Sequence, residues 1–513
     1  MSTWEKRMRR ARKLHRPSLK DWEADNLYQV FPDFQRALLE DETPDALLAP
    51  PSLVSDDDDN SEVGSIQNRS TPALRRRHPR DYETFFPSNH ESPTSAPAKL
   101  TMPQQQGQTK QQYLQYYLEQ PQIPAILDGR TLTCRDFWDN YEAKEIPCLL
   151  RNIPFGYEGG QPAEPWTGLR HWPLDQLRHN RDLRNRLFKC GEDDDGRSIK
   201  VKLKHFLRYL RSNKDDSPLY IFDTSFDEDR LAKRILSEYR VPCYFRDDLF
   251  GFISEARRPP YRWFLVGPER SGTTVHIDPL ATNAWNSLIQ GVKRWVLFPP
   301  HVPKSVIKGK GLVRDDEDDE AIHYFMYILP RIKRKAMAVA QAIQNQYGDS
   351  SIVDSPYKDF CCYEFTQYPG ETVFVPNGWW HAVLNVTDTV AVTQNFCSER
   401  NFEKVWLKTR TGRKRMAWKL LQQLDTRPEY KHLAEKARAL NARDNFVMKY
   451  DPIEIAKREA LKKQQEQNES DTESSKQEDS QRSGDDDSSS DDEDDNRRME
   501  DQQKKKQRRR MSG

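Results

Sequence analysis

Eight short runs of β-branched and aromatic residues, separated by Pro and Gly turn signals, occupy the stretch between residues 262 and 395. Runs of this length and composition predict β-strands, and many short strands with turns between them predict a sandwich or barrel of the jelly-roll kind. The chain is therefore predicted to be mainly β. The predicted strands are residues 262–266, 274–278, 284–289, 294–298, 363–366, 372–375, 381–386 and 389–395.

The segments around these strands differ in character. Helical periodicity is present at 172–187, at 204–212, and at 331–347 inside a long charged insertion at 301–358. We predict six segments in all. They are a basic N-terminal segment that packs on the core (1–49), a disordered insert (50–121), a helical cover with leading strands (122–260), the β core (261–401), a basic helical segment (402–464) and a disordered Ser/Asp and Lys/Arg tail (465–513).

Composition supports the two disordered assignments and excludes several classes of protein. Only 35% of the residues are hydrophobic and mean hydropathy is −0.95, but the polarity is concentrated in the insert and the tail. These two segments are too polar to bury the apolar surface that folding requires. The sequence shows neither an apolar run of about 18 residues nor a signal-peptide core, so we predict no membrane span. The seven Cys include no CxxC pair, which favours a reducing compartment over a disulfide framework.

One pair of residues in a predicted strand indicates a metal site. His276 and Asp278 are two positions apart, and in a strand such residues point to the same face. A third ligand, His381, follows two Trp residues at the start of another predicted strand. Two His and one carboxylate can hold iron and leave three positions open for a 2-oxo acid and dioxygen. By themselves, His276 and Asp278 are better explained by a strand in which they hydrogen-bond to each other or to a backbone group, so the metal site is inferred only with the surrounding motifs.

Those motifs resemble a known family. The stretches GTTVHIDPLATNAWNSLIQGVKRWVLFPP and PGETVFVPNGWWHAVLN are similar to the paired motifs of Jumonji-C oxygenases. KCGEDDDG, DDSPLYIFD, RRPPYRWFLVGPERSGT and VTQNF further resemble one branch, the arginine demethylases and lysyl hydroxylases once called the phosphatidylserine receptor. The resemblance covers about 122–410, with a weaker N-terminal similarity in RPSLKDWEADN.

The resemblance implies a double-stranded β-helix core with Fe(II), 2-oxoglutarate and dioxygen as cofactors, supported by ascorbate. His276, Asp278 and His381 would be both metal ligands and catalytic residues. The other implied site residues are Lys293 as partner of the distal carboxylate of 2-oxoglutarate, Thr393 and Tyr220 as its hydrogen-bond donors, Asn286 near the iron-proximal end, and Thr273 as a lining residue. For Tyr220 and Thr273, an ordinary core or wall position explains the residue as well. We expect Trp263, Trp285, Trp379 and Trp380 to serve packing, and Asn395 to line the substrate mouth.

The resemblance also implies a function. It favours hydroxylation of lysyl side chains in Arg/Ser-rich nuclear proteins such as splicing regulators. The first alternative is removal of N-methyl groups from arginine in histones or other proteins. An alternative of another class is a non-catalytic nuclear scaffold or RNA-binding protein, with a chromatin or RNA-splicing role. Basic clusters at 74–77, 413–415 and 504–510 are candidates for nuclear signals or RNA contacts, although a solvated charge run explains each singly. A homodimer through 402–464 is expected from the resemblance.

Overall fold

The computed structural model describes residues 122–192, 197–213, 215, 217–255, 258–314, 317, 320–344, 355–452, 455–457, 459–461 and 464. The predicted segments 1–49, 50–121 and 465–513 lie outside the described residues. All of the elements below belong to one unit that ends at Met448.

The described residues contain fifteen strands, and all eight strands predicted in the core are present within two residues of their predicted bounds. The strands are β1 (Ala125–Asp128), β2 (Cys148–Arg151), β3 (Tyr157–Glu158), β4 (Gln161–Pro162), β5 (Leu187–Glu192), β6 (Ser198–Lys202), β7 (Ile221–Asp223), β8 (Arg262–Gly267), β9 (Gly272–His276), β10 (Asn283–Gln290), β11 (Lys293–Phe298), β12 (Tyr363–Gln367), β13 (Glu371–Val375), β14 (Trp380–Asn385) and β15 (Thr389–Phe396).

Two sheets make the core. One has seven strands in the order β1-β2-β13-β10-β15-β8-β7, and the other has four in the order β12-β11-β14-β9. Every pairing within these two sheets is antiparallel except that of β1 with β2. The chain passes back and forth between the two sheets, which is the jelly-roll arrangement expected of a double-stranded β-helix.

The inner faces of the two sheets meet in an apolar cluster. Trp295 and Leu297 of β11 pack there with Val383 of β14 and with Val373 and Val375 of β13. These residues alternate along their strands, so their neighbours point outward. The same alternation places His381 inside the barrel. His381 is the register partner of Leu297, and paired residues on neighbouring strands point to the same face of the sheet.

Ten α-helices are present in the part of the described chain that ends at Met448. They are α1 (Cys134–Phe137), α2 (Gly168–His171), α3 (Leu174–His179), α4 (Leu203–Ser212), α5 (Lys304–Ile307), α6 (Ala321–His323), α7 (Leu329–Gln344), α8 (Phe402–Gly412), α9 (Lys414–Asp425) and α10 (Lys431–Arg443). Trp138–Glu142 and Tyr324–Ile328 are π-helical turns that extend α1 and join α6 to α7. Among the described residues, no helix combines the length and the apolarity needed to cross a bilayer.

The helix predicted at 172–187 is wrong in extent. Only Leu174–His179 is helical, and Leu187 already begins β5. The helix ends at Asn180, whose side-chain oxygen accepts hydrogen bonds from the backbone N–H groups of Asp182 and Leu183. Such a local side-chain acceptor competes with the helical hydrogen bonds. The helix predicted at 204–212 is confirmed as α4, and the one at 331–347 as α7 up to residue 344, where the description stops.

The described part of the 301–358 insertion covers the outer face of the four-stranded sheet. Phe325 and Ile332 are fully buried there against Val296, Ala382 and Leu384, which are the outward residues of β11 and β14. Lys333 of α7 also pairs with the buried Glu364 of β12. The insertion therefore buries the back of the strand that carries His381.

A helical cover packs on the outer face of the seven-stranded sheet, and its central residue is Phe245. This ring is fully buried and lies nearly parallel to Trp285 of β10 and Phe374 of β13, at centroid distances of 6.0 and 5.9 Å. We predict that Phe245→Ala lowers the free energy of unfolding by about 3–5 kcal/mol, through lost contacts and an unfilled cavity.

Urea unfolding measures this effect. Leu187→Ala is the matched control, because that side chain is 48% exposed and its removal should cost under about 1 kcal/mol. Equal destabilisation by the two variants would contradict the assignment of Phe245 to the core.

Candidate metal centre

The structure brings the three predicted ligands together. His276 ends β9 and is the register partner of His381 in β14, and their ring centroids are 4.2 Å apart. Asp278 Oδ1 lies 3.8 Å from His276 Nε2. One ligand atom from each of the three residues lies within 4.8 Å of the other two. Three side chains so close together, with one negative charge among them, can share one divalent ion.

Asp278 is not in a strand, which corrects the predicted strand at 274–278. β9 ends at His276, and Asp278 instead precedes the short turn Pro279–Ala281, without a capping hydrogen bond from its side chain. Its backbone remains extended, with φ −64° and ψ 142°. The spacing of two residues along nearly extended chain therefore still places the carboxylate on the same side as the His276 imidazole.

Hydrogen bonds orient both imidazoles. His276 Nδ1 lies 2.8 Å from the carbonyl oxygen of Thr274, and His381 Nδ1 lies 3.1 Å from that of Trp379. A carbonyl oxygen only accepts, so each Nδ1 carries the proton and donates. Each Nε2 then presents its lone pair, which is the form a metal ligand requires.

Burial keeps His381 in that neutral form. The side chain is almost fully buried, and this burial, together with the neighbouring His276, lowers the pKa of His381 to about 4, against an opposing contribution from Asp278. At neutral pH the Nε2 atom of His381 therefore carries no proton, and the imidazole can bind a cation without first losing one.

Two turns hold the ligands in place. The turn before His381 contains Gly378 at φ +80°, a conformation that favours glycine, and Trp379 Nε1 donates to the carbonyl of Glu145 at 2.9 Å. The turn after Asp278 holds Leu280 and Ala281 at φ 58° and 56°, which is costly for residues with a side chain. Leu280 packs against the apolar cluster of α8–α10, so the C-terminal helices stabilise this strained turn.

Lys293 lies at the other end of the same interior face. It begins β11, four residues before Leu297, so it lies roughly 13 Å along the strand from the level of His381. Its side chain is fully buried, and no described residue gives its ammonium group a hydrogen bond or an ion pair. Burial lowers the pKa of Lys293 to about 7. A buried amine without an anion is costly as a cation, and a bound carboxylate would remove that cost.

The register neighbours of Lys293 supply no charge. Gln367 is already committed, since its amide donates to the carbonyl oxygens of Asn286 and Glu371 and its oxygen accepts from Trp295 Nε1. Asn385, the partner on β14, donates to Ser271 Oγ at 2.9 Å. Among the described residues no side chain supplies an anion to Lys293, and the carboxylate of a bound ligand would do so.

Two of the other predicted cosubstrate residues lie on the facing, seven-stranded sheet. Asn286 of β10 and Thr393 of β15 are register partners, and Asn286 is buried with its side-chain oxygen lacking any hydrogen-bond donor among the described residues. Thr393 is half-buried and donates through Oγ1 to the carbonyl of Trp285 at 2.6 Å. Thr273 of β9 lies on the four-stranded sheet, opposite Val383 and on the same strand as His276. The unpaired oxygen of Asn286 marks a position where a ligand group can donate.

Tyr220 lies beside Asn385, at the Lys293 end. Burial raises the pKa of the Tyr220 phenol, and a hydrogen bond with Asn385 opposes part of that rise. Gly267 permits this approach, because a Cβ there would meet Asn385 Nδ2 at 2.4 Å and Tyr220 Cδ2 at 2.6 Å. Asn385 was not singled out from the sequence, although it lies four residues after His381 on one strand and so shares its face.

The remaining predictions concern Trp residues and the mouth. Trp285 and Trp379 are fully buried, as expected for packing. Trp263 is half-buried and lies against Phe222, with ring centroids 5.4 Å apart. Trp380 is half-buried, and the ammonium groups of Lys304 and Lys308 each lie 5.8 Å from the centre of its ring. The side-chain amide of Asn395, the residue predicted at the substrate mouth, donates a hydrogen bond to Thr282 Oγ1.

Comparison with known proteins agrees with this site. The model of the JmjC domain, hydroxylase, matches residues 263–396. The chain is 39% identical to the bifunctional arginine demethylase and lysyl-hydroxylase psr-1 of Caenorhabditis elegans over 61% of this chain and 70% of that protein, and 40% identical to its Caenorhabditis briggsae counterpart over 60% and 70%. It is 23% identical to the 2-oxoglutarate and iron-dependent oxygenase JMJD4 of Mus musculus over 50% of this chain and 58% of that protein.

The residues fit the cofactors of this family. Three ligand atoms lie close together, and the buried amine of Lys293 and the Asn286 side-chain oxygen, which has no donor among the described residues, face the barrel interior from opposite sheets. The cofactors are therefore iron and 2-oxoglutarate. Fold, site and sequence similarity together place this chain in the JmjC family of iron- and 2-oxoglutarate-dependent oxygenases.

Proposed function

We propose that this oxygenase hydroxylates lysyl side chains of Arg/Ser-rich nuclear proteins. The observation that carries the proposal is the similarity to psr-1, whose name includes lysyl hydroxylation and which this chain matches over 70% of its length. Basic segments of the sequence support a nuclear location and, through them, contact with RNA. A homodimer through 402–464 remains part of the proposal.

In this proposal the interior residues have separate roles. His276, Asp278 and His381 hold the metal by two neutral imidazoles and one carboxylate. Lys293 pairs with the distal carboxylate of 2-oxoglutarate, with Thr393 and Tyr220 beside it, and Asn286 and Thr273 line the space between. When bound, iron, 2-oxoglutarate and dioxygen would supply the oxidising chemistry, in which one oxygen atom enters succinate as 2-oxoglutarate loses carbon dioxide and the other hydroxylates a substrate carbon. The protein residues orient the reactants and exclude water.

Arginine demethylation is the second candidate, because the names of both Caenorhabditis relatives include it. The same oxidation applied to an N-methyl carbon of arginine gives a hydroxymethyl group, which leaves as formaldehyde. The metal ligands and Lys293 serve both reactions equally, so the substrate decides between them.

Mass spectrometry of treated peptides tests the two candidates. The full chain is incubated with iron, 2-oxoglutarate, ascorbate and Arg/Ser-rich peptides, with and without methylated arginine. Addition of one oxygen atom to Lys supports hydroxylation, whereas loss of a methyl group from Arg with release of formaldehyde supports demethylation. Absence of both modifications and of succinate, across many basic peptides, would favour the non-catalytic scaffold.

The affinity for 2-oxoglutarate should depend on pH through Lys293. Its pKa in the free protein is about 7, below the ordinary 10.5, so above pH 7 the amine is mostly neutral and must take up a proton to pair with a carboxylate. We expect Kd to rise by up to about tenfold per pH unit between pH 7 and 9, and to be independent of this group below pH 7.

Anaerobic titration calorimetry with iron present measures this dependence. Buffers with different ionisation enthalpies report the proton uptake directly. A Kd that is constant between pH 7 and 9 would contradict the lowered pKa of Lys293 in the free protein.

A further inference from the structure

Two cysteines far apart in the chain lie in contact in the helical cover. Cys134 Sγ and Cys243 Sγ are 2.7 Å apart, although 109 residues separate them. Both side chains are half-buried, whereas Cys148, Cys190 and Cys397 are buried. Small reagents can therefore reach this sulfur pair more readily than those three thiols.

The backbone on both sides of the pair is fixed. Cys243 N donates to Glu158 Oε2 at 2.7 Å, and the next residue, Tyr244, donates its hydroxyl to the carbonyl of Leu132 at 2.9 Å. Trp138 Nε1 in turn donates to the carbonyl of Tyr244 at 2.9 Å. These bonds tie the segment before α1 and the π-turn after it to the segment that carries Cys243. The two sulfurs are thus held together by their surroundings and need no large backbone movement to join.

We propose that Cys134 and Cys243 are a redox-sensitive pair that forms a reversible disulfide when the protein meets a peroxide. One thiolate attacks an oxygen of hydrogen peroxide, which gives a sulfenic acid and releases hydroxide that is protonated to water. The second sulfur displaces the sulfenic oxygen, which leaves as a second water, and the S–S bond forms. Each sulfur is oxidised by one electron and the two peroxide oxygens are reduced. A dithiol reductant reverses the reaction.

The bond would lock two segments of the cover to each other, and the segment that carries Cys243 packs on the core. Tyr244 and Phe245 follow Cys243, and Phe245 packs on Trp285 and Phe374 behind the strands of the site. Cross-linking residues this far apart reduces the freedom of the unfolded chain by closing a long loop. The disulfide should therefore raise the melting temperature by about 5 °C. Because the metal ligands lie on the inner face of the barrel and the pair in the cover, turnover should change less than about twofold.

Thiol counting on the full chain tests the proposal. Protein treated with hydrogen peroxide, or with diamide as a thiol-specific oxidant, is alkylated, digested without reduction and analysed by mass spectrometry. Of the seven cysteines, five should remain open to alkylation in the unfolded oxidised protein, and one cross-linked peptide should contain Cys134 and Cys243. The rise in melting temperature should accompany the cross-link and disappear with dithiothreitol.

Three variants sharpen the test. Cys134→Ser and Cys243→Ser should each abolish both the cross-link and the rise in melting temperature. Cys361→Ser is the matched control, because Cys361 is also half-buried but lies beside His301 at 3.4 Å, and it should leave both unchanged. Seven alkylatable thiols after oxidation, or a cross-link to a different cysteine, would overturn the proposal. Oxidation that forms the cross-link without raising the melting temperature would overturn the locking role.

Discussion

Replacement of Asp278 by Ala should reduce succinate formation from 2-oxoglutarate to below about 1% of the parent activity. Asp278 is the one anionic group in the set with His276 and His381, and its removal leaves two neutral imidazoles for a divalent cation. The charge stabilisation that a bound metal provides is worth several kcal/mol, and each 1.4 kcal/mol is about tenfold in rate. Turnover and iron content per chain should therefore fall together.

The control for this variant is Asp139→Ala. That side chain is 62% exposed and pairs only loosely with Arg135 at 3.6 Å, so its loss should affect neither iron content nor turnover. Melting curves of both variants verify that the fold is intact. If Asp278→Ala bound iron normally and kept more than about a tenth of its activity, Asp278 would not be a metal ligand.

Replacement of Lys293 by Met should weaken 2-oxoglutarate binding by about 100-fold or more, while iron binding is retained. Loss of one partner of a buried charge pair costs roughly 3–5 kcal/mol. Met preserves the length of the side chain without the charge, and the register neighbours Gln367 and Asn385 offer no cation to replace it. The effect should appear in Kd and KM for 2-oxoglutarate, with less change in iron content.

The same variant should not destabilise the protein without its cosubstrate. The pKa of Lys293 is about 7 when folded and 10.5 ordinarily, so the folded state binds the proton more weakly. The cost of burying the charge is complete below pH 7, declines as pH rises from 7 to 10.5, and is absent above that. Lys293→Met should therefore be at least as stable as the parent at pH 7, and 2-oxoglutarate should raise the melting temperature of the parent alone.

Lys304→Met is the matched control, because Lys304 is an exposed lysine that lies near Trp380 rather than inside the barrel. It should bind 2-oxoglutarate like the parent. A Lys293→Met protein that bound 2-oxoglutarate within about threefold of the parent would refute the role of Lys293. Weak binding accompanied by a large loss of stability would instead indicate a structural role.

The strands of the core could be predicted because their signal is local. Alternation of apolar residues and the turn residues between runs are visible within a few positions, and all eight predicted strands are present. The failure at 172–187 has an equally local cause. Apolar spacing continues past Asn180, but the side chain of Asn180 caps the chain there, and the helix ends.

Contacts between residues far apart in the chain were harder to predict from the sequence. That Asn385 lies beside Tyr220, or Cys134 against Cys243, depends on which strands and helices pack together, and no local pattern encodes those contacts. The cover, the insertion and the C-terminal helices each bury a different face of the sheets. Their positions are decided by which apolar surfaces remain uncovered once the sheets have formed.

Local sequence patterns were enough to predict the eight strands, the two-residue spacing of His276 and Asp278, and the order of motifs that indicates this family. Three features of the site are visible only in the folded chain: both imidazoles present Nε2, Asp278 precedes a strained turn, and Lys293 is buried without an anion among the described residues. The reason is physical: periodicity sets the face on which a side chain lies, whereas burial, charge and hydrogen-bond partners come from residues brought together only when the two sheets close.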